Sequence, residues 1–528
     1  MTNSIEEFED AEVFFVIGSN TTEQHPMIAT RIIQAVVSKK AKLILADPRD
    51  IKLARWASIW LRHNIGSDVA LINGLMHVIL KEGWEDREFI ESRTENFQEL
   101  KNVVAGYPPG RVAEITGVDP ESLRKAAEAY ANSRKAMIVY AMGITQHVAG
   151  TDNVKSCANL AMLTGHVGLP STGVNPLRGQ NNVQGACDMG ALPNVYTGYQ
   201  SVASPDVRKK FEEAWGVTGL NDKPGLTLTD MLAKAEKGEL KALYVMGENP
   251  IVSDPNAQHV MKAMRKLDFL VVQDIFYSET AKFAHAILPA ASFAEKEGTF
   301  TNTERRVQLS RQAMAPLEGT MPDWRIVSEI SSRAGYPMNY QSPAEILGEI
   351  NRVTPSYGGI TADRLKNSWG LQWPCPDENH PGTPFLHKES FTRGLGRFEV
   401  KEHNPPPEVP DEEYPFILTT GRVAFQYHTR TMTKRVPILD REAPKAFLEM
   451  NLKDARRLRV RDGSMVAVES RRGQLRLPVL LSSEVPEGVV FSTFHYSDTN
   501  INELTTSAAD PVAKIPELKS CAVSIRRV

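Results

Sequence analysis

One local pattern occurs twice in this chain, and it restricts the fold more than any other feature. Residues 12–17 (EVFFVI) form a short apolar run ending at Gly18. A polar loop follows, then Pro26 to Val37 with helical periodicity, then Lys42 to Ala46 (KLILA) closed by Asp47. This spacing predicts strand, loop, helix, strand. Further on, Ala242 to Met246 leads into Gly247-Glu248-Asn249-Pro250, a helix from about Asn256 to Lys266, and Phe269 to Gln273 capped by Asp274. The glycine-to-acid spacing is 29 positions in the first copy and 27 in the second. Between the copies, Asp119 is placed to N-cap a helix from Pro120 to Ser133, with Pro120 at the first helical position and Glu121 in the first turn, and Met137 to Ala141 reads as the next strand. Such alternation predicts an α/β protein with two doubly wound parallel-sheet domains related by a pseudo-repeat. Ligands of such sheets sit at the carboxyl ends of the strands.

The texture changes after residues 403–415, HNPPPEVPDEEYP, whose prolines and acids favour an extended connector. Phe416 to Thr420, Ser464 to Ser470, Gln474 to Leu480 and Val489 to Thr493 are short strand-like runs, with Asp462-Gly463 and Arg472-Gly473 as turn dipeptides. The last 120 or so residues therefore predict a mostly-β domain, a barrel. Domains of 1–180, 181–385 and 416–528 with a linker at 386–415 suit a length of 528 residues, too long for one core.

Composition narrows the partners. With 61 Lys and Arg against 64 Asp and Glu, bulk charge gives no basis for binding nucleic acid or an anionic membrane. No apolar stretch is long enough to span a bilayer, and the acidic start MTNSIEEFEDAE is not a signal peptide. The four cysteines, Cys157, Cys187, Cys375 and Cys521, are scattered without metal-binding spacing, so no iron–sulfur cluster, zinc or other metal ligand is expected from this chain. So few cysteines also suit a reducing compartment, and a cytoplasmic location is the expectation.

A glycine at a strand end followed by small polar residues lets backbone N–H groups approach a phosphate, and Gly18 and Gly247 both fit. Asp47 or Asp274, at the tip of the next strand, can accept from a ribose or a guanine edge. A single such glycine is explained by the need to leave the strand, but its duplication favours a nucleotide. The segment Gly173 to Ala186, GVNPLRGQNNVQGA, is dense in amides and glycines. Either it is a solvated loop with Arg178 on the surface, or it wraps a group rich in hydrogen-bonding atoms, with Arg178 offering a planar fork to a carboxylate, phosphate or pterin. His25, His63, His285 and His495 lack ligand spacing and read as structural, and Cys187 reads as an inert thiol.

The runs Gly173 to Pro193, Gln273 to Phe276 with Ile287-Leu288-Pro289, Glu297 to Gln308 (EGTFTNTERRVQ), Thr420-Gly421-Arg422 with His428 to Thr433, Asn502 to Thr505 and Pro516 to Val523 resemble the catalytic subunits of molybdopterin oxidoreductases, most closely formate dehydrogenases. The resemblance covers the whole chain. It implies two pyranopterin guanine dinucleotides, a bis-molybdopterin guanine dinucleotide carrying molybdenum or tungsten, bound pseudosymmetrically by the repeated unit. Implied cofactor contacts are Gly18, Asn20, Asp47, Arg49, Asp68 and Gly143 on one side, and Gln180, Gly247, Asn249 and Asp274 on the other. The barrel, of double-psi type in the family, would add Thr420, Gly421, Arg422, His428, Thr431, Asn502 and Lys519. Arg178 matches the arginine that orients formate. Family members begin with an iron–sulfur segment and a selenocysteine or cysteine metal ligand, neither of which is seen here. The resemblance thus implies an upstream segment or separate chain supplying both, and a selenocysteine codon read as a stop is one explanation. It also implies electron-transfer subunits linked to iron–sulfur, flavin, ferredoxin or NAD. Three readings stand: formate oxidation to CO2 or its reverse, a non-catalytic pterin-binding scaffold, and a relative acting on nitrate or another small oxo-acid.

Overall fold

The computed structural model describes residues 1–528. They divide into two compact units, one of Met1–Leu177, Val252–Gln258 and Phe385–Val528, the other of Arg178–Ile251 and His259–Pro384.

The first unit opens with a five-stranded parallel sheet. Its elements are β1 (Val13–Ile17), α1 (Pro26–Lys39), β2 (Lys42–Ala46), β3 (Ile59–Leu61), α2 (Asp68–Glu82), α3 (Pro120–Ala131), β4 (Ala136–Tyr140), α4 (Gly150–Leu163) and β5 (Val174–Pro176). The strand order is β3-β2-β1-β4-β5. The run VFFVI is apolar throughout because both faces of β1 are covered. Val13, Phe15 and Ile17 join one core, with Leu71, Leu75 and Leu123, while Phe14 and Val16 join another, with Ile28, Ile32 and Leu43. α2 was not legible as an element: its sequence DVALINGLMHVILKE is apolar nearly all round, which removes the amphipathic signal, and residues Asp68 to Leu71 through Ile79 lie almost wholly inside. Asp119 does cap α3, accepting from the N–H groups of Glu121 and Ser122, both at 3.0 Å. The sheet order reverses between β1 and β4, so the loops leaving these strands diverge and open a crevice at their carboxyl ends.

The same unit contains a closed barrel of β12 (Phe416–Gly421), β13 (Leu448–Asn451), β14 (Met465–Glu469), β15 (Gln474–Ser482), β16 (Val489–Thr493) and β17 (Cys521–Arg527), numbered after the six strands of the second unit given below and ordered β12-β16-β13-β15-β14-β17. Leu477 and Val479 on β15 point inward with Val466, Val468, Leu418 and Val490, whereas Leu480 is exposed, the alternation a barrel wall requires. β13 and β17 carry no turn dipeptide at their ends and escaped the strand pattern.

The proline-rich connector has no regular structure, yet it is not a loose spacer. Arg472 holds Glu408 through two parallel bonds, at 2.5 and 2.9 Å, and Asn73, Asn159 and Tyr107 bond the backbone of Lys401, Glu399 and His403. It is a strap along the unit, a role that its composition could not distinguish from a spacer.

The second unit carries a smaller parallel sheet, β6 (Ala242–Met246), β7 (Phe269–Asp274) and β8 (Ala286–Pro289), ordered β8-β7-β6, with α5 (Ala257–Lys266) preceding β7. Val245, Leu270 and Val272 pack with Leu232, Val260, Ala263 and Met264. A separate antiparallel sheet of β9 (Gly298–Thr301), β10 (Arg306–Ser310) and β11 (Leu371–Gln372) lies beside the loop that begins at Arg178.

Candidate functional site

In the first unit, Gly18 leaves β1 at φ +57°, and Gly143 follows β4. Their backbones meet: Gly143 N–H donates to Gly18 O at 2.9 Å, and a Cβ on Gly143 would lie 2.4 Å from that oxygen. Only glycine permits this approach at the switch point. Asn20 caps the short turn Thr21–Gln24 with its carbonyl, which accepts from Gln24 at 3.0 Å.

Buried charges gather around these loops. Asp47, at the end of β2, accepts from Arg49 N–H at 2.9 Å, and burial nevertheless lifts its carboxyl above the usual range. His63 Nε2 lies 3.1 Å from Asp68 Oδ1, both residues about 3% exposed. Burial opposes charge on both, but their mutual hydrogen bond and attraction win, raising the histidine and lowering the acid. His147 Nδ1 similarly sits 3.0 Å from Glu517 Oε1, and the partnership outweighs burial to raise the imidazole. Arg49 pairs with Glu449 at 2.8 Å and stacks 3.7 Å from the Phe491 ring centroid, tying the sheet domain to the barrel.

From the barrel, Lys519 donates to Thr420 O at 2.6 Å, and burial with the repulsion of Arg422 pushes its ammonium down to about 7. Thr420 itself donates to Leu518 O at 2.7 Å, and Gly421 ends β12 beside Thr493. Arg422 places its guanidinium 3.4 Å from the Met142 sulfur, next to Gly143, and over Phe494. Burial forces His428 down to about 4, and Thr431 shares a hydroxyl contact with Thr429 at 3.0 Å. Asn502 spends its amide hydrogens on the Val252 and Ser253 carbonyls, at 2.9 and 3.0 Å.

Four buried polar atoms on these same segments have no hydrogen-bond partner: Asp68 Oδ2, Arg49 Nε, Ser492 Oγ and Thr493 Oγ1. Buried polar atoms are almost always bonded, so an acceptor, a donor and two hydroxyls left open among buried charges of both signs fit a polar ligand rich in donors and acceptors. His63, His147, Glu517, Ser492 and Thr493 were not singled out from the sequence as ligand-facing. None of them carried a usable signal, since the helix that Asp68 opens five residues after His63 was itself not legible.

In the second unit, Gly247 leaves β6 at φ +64° with its N–H on Gln273 O at 2.8 Å. Asn249 turns inward, donating to Glu279 at 2.7 Å and accepting from Thr280. Asp274 accepts from the N–H groups of Ile275 and Phe276, an Asx turn at the strand tip. Gln180 is half-buried and its carbonyl accepts from Val183 N–H at 3.4 Å. Arg178 is half-buried, not on the surface. Its backbone N–H donates to Thr303 Oγ1 at 3.0 Å and its Nε to Gln184 Oε1 at 3.2 Å. Burial raises the Cys187 thiol, and the nearby Arg178 charge opposes this. His285, Nδ1 accepting from Leu270 N–H at 2.9 Å, is structural.

A parallel sheet with glycine loops at a switch point, and a barrel lending buried polar groups to them, define a dinucleotide-cofactor enzyme. The family model of molybdopterin oxidoreductases matches residues 1–333, and that of the molybdopterin dinucleotide binding domain matches residues 416–522. The chain belongs to the molybdopterin oxidoreductase family, and its cofactor is a molybdopterin dinucleotide. It is 51% identical to the F420-dependent formate dehydrogenase subunit alpha of Methanocaldococcus jannaschii, over 100% of this chain and 78% of that relative. With formate dehydrogenase H of Escherichia coli the identity is 40%, over 100% of this chain and 74% of the relative. Acetylene hydratase from Pelobacter acetylenicus shares the fold, with a TM-score of 0.77 at 20% identity, over 99% of this chain and 78% of that structure. No helix is long and apolar enough to cross a membrane.

Proposed function

We propose that this chain is a portion of the catalytic subunit of a formate dehydrogenase, which, with a further segment supplying the metal ligand and iron–sulfur cluster, interconverts formate and CO2 at a molybdenum or tungsten centre held by two pterin guanine dinucleotides. The observation that carries the substrate is Arg178. Its guanidinium is gripped at Nε by Gln184 within the amide-rich loop, an anchorage that holds the plane of a fork suited to a small carboxylate. Support also comes from the relatives named formate dehydrogenases.

On this reading, Asp47, Asp68, Lys519 and the Gly18–Gly143 backbone hold one dinucleotide, and the loops at Gly247 and Asp274 hold the other. When bound, the metal dithiolene centre supplies the two-electron acceptor. Arg178 binds formate by charge-assisted hydrogen bonds and orients its C–H toward that centre, converting an encounter into a fixed approach. Lys519, whose Nζ bonds Thr420 O, offers its ammonium to an anionic group of the dinucleotide it helps to hold. Electrons pass to partner subunits, in keeping with the designation of the archaeal relative as a subunit alpha.

The test is Arg178→Ala in the metal-loaded enzyme. Formate-dependent dye reduction should fall by a factor of ~100 or more, the size of a lost charged contact, while metal and pterin content stay within twofold of wild type. Unchanged formate kinetics would remove Arg178 from substrate binding. Bound pterin with no formate, CO2 or nitrate turnover in the wild type would favour the scaffold reading.

A further inference from the structure

Ten residues beyond Arg178, the Asp188 carboxylate is completely buried and saturated by neutral donors. Its Oδ1 accepts from Gln184 Nε2 and Tyr199 OH, both at 2.8 Å, and its Oδ2 from Tyr357 OH at 2.6 Å and Trp373 Nε1 at 2.7 Å. Four bonds match the lone-pair capacity of an ionised carboxylate.

That saturation has a directional consequence. A carboxylate is acceptor-only, so it selects the N–H end of the Gln184 amide, and the carbonyl Oε1 must then face the other way. Facing that way, it accepts from Arg178 Nε at 3.2 Å. An arginine has no acceptor, so the two ends of Gln184 cannot be exchanged without breaking bonds on both sides. The geometry of the donors is held firmly. Tyr199 adopts φ +60°, a conformation that strains a side-chain-bearing residue, and its hydroxyl bond to Asp188 helps to hold it there. Trp373 is gripped through its backbone carbonyl by Arg305, itself fully buried. Burial and the nearby Asp188 charge both raise the Tyr199 and Tyr357 hydroxyls, so they remain protonated donors. Gly185 completes the arrangement, because a Cβ there would lie 2.1 Å from Asn182 Oδ1, which is bonded to Thr301 N–H.

We propose that Asp188 is a positioning residue for Arg178: it locks the Gln184 amide so that Oε1 grips Nε and sets the plane of the guanidinium fork. This rests on the reading of Arg178 as the formate-binding group. Asp188 itself touches no substrate.

The experiment is a double-mutant cycle in the metal-loaded enzyme, with Asp188→Asn, Arg178→Lys and the pair, reading kcat and KM for formate together with the inhibition constant of nitrate, a planar oxyanion. Lysine has no Nε–H fork to align. The expected result is a kcat/KM lowered about 10- to 100-fold by Asp188→Asn alone, nitrate inhibition weakened in parallel, and less than a twofold further change when the same substitution is added to Arg178→Lys. A crystal structure of the Asp188→Asn variant should show the Gln184 amide reversed or the guanidinium rotated. Tyr357→Phe, which leaves three donors and the Gln184 orientation intact, should change kcat/KM less than threefold. Equal losses from Asp188→Asn in both backgrounds, or no loss in either, would overturn the proposal. If Arg178→Lys alone leaves formate and nitrate constants unchanged, the reading of Arg178 fails instead. Should Asp188→Asn not accumulate as folded protein, Gln184→Met removes the same grip and must give the same cycle.

Discussion

On the proposed reading, Asp68 and Lys519 are single side chains of the first unit that meet a polar, anionic ligand. Asp68 satisfies one oxygen with His63 and leaves the other buried and open, so a ligand N–H or O–H there gains a charge-assisted bond at little reorganisation cost. Asp68→Asn should weaken dinucleotide retention about tenfold, or ~1.4 kcal/mol, read as pterin released on dialysis, with the fold retained by circular dichroism. Lys519 is held down to about 7 against an ordinary 10.5. Between those values the unfolded chain binds this proton and the folded chain does not, so the stability contributed by this group rises with pH across that window. In cofactor-free protein, Lys519→Met should therefore be more stable than wild type near pH 6.5, and the gap should close by pH 10, measured by urea unfolding at several pH values. A constant gap would mean that Lys519 does not titrate in this range. The glycines and acids at strand tips were readable in the sequence because backbone geometry restricts those positions to few residue types. The buried pair His147–Glu517 and the Asp188 contacts with Tyr357 and Trp373 were not, since their members lie at least 169 positions apart and each residue alone is ordinary.

Among the elements, parallel strands were the most legible. Lys42–Ala46, Ala242–Met246 and Val489–Thr493 match the expected runs at both ends, because short, largely apolar segments rich in β-branched and aliphatic residues between turn residues have few other uses. α2 was missed because burial on all sides erases the periodicity that marks a surface helix. The contact between the β1 and β4 loops is a pairing that the sequence does not announce. Gly143→Ala would drive a methyl group into a backbone oxygen that has no rotamer to yield. The expected outcome is ~1–3 kcal/mol of destabilisation by denaturant titration and a marked loss of bound dinucleotide, whereas Gly83→Ala, whose Cβ meets nothing within 4 Å, carries only the strain of its left-handed φ. Equal dinucleotide binding by both variants would show that the approach of the two loops is not needed.

At the scale of the molecule, two compact units with separate cores predict more than one calorimetric transition in cofactor-free protein. Leu418→Ala, which empties a fully buried position in the barrel, should cost ~2–5 kcal/mol and lower the transition of the first unit while leaving that of the second in place. A uniform shift of a single transition would show that the units unfold together. By itself, the sequence determined the α/β class, the duplicated sheet, the barrel that follows it, and the glycines and acids at the strand tips. These are local matters of periodicity, turn chemistry and strand-end geometry. Tertiary structure decided the rest: that the connector is a strap bound by Arg472, that the barrel lends Lys519 and Arg422 to the first sheet's loops, and that Asp188 stands behind Arg178. The physical reason is that desolvation and charge pairing act between groups brought together in space, and no spacing along the chain encodes which buried donor will meet which acceptor.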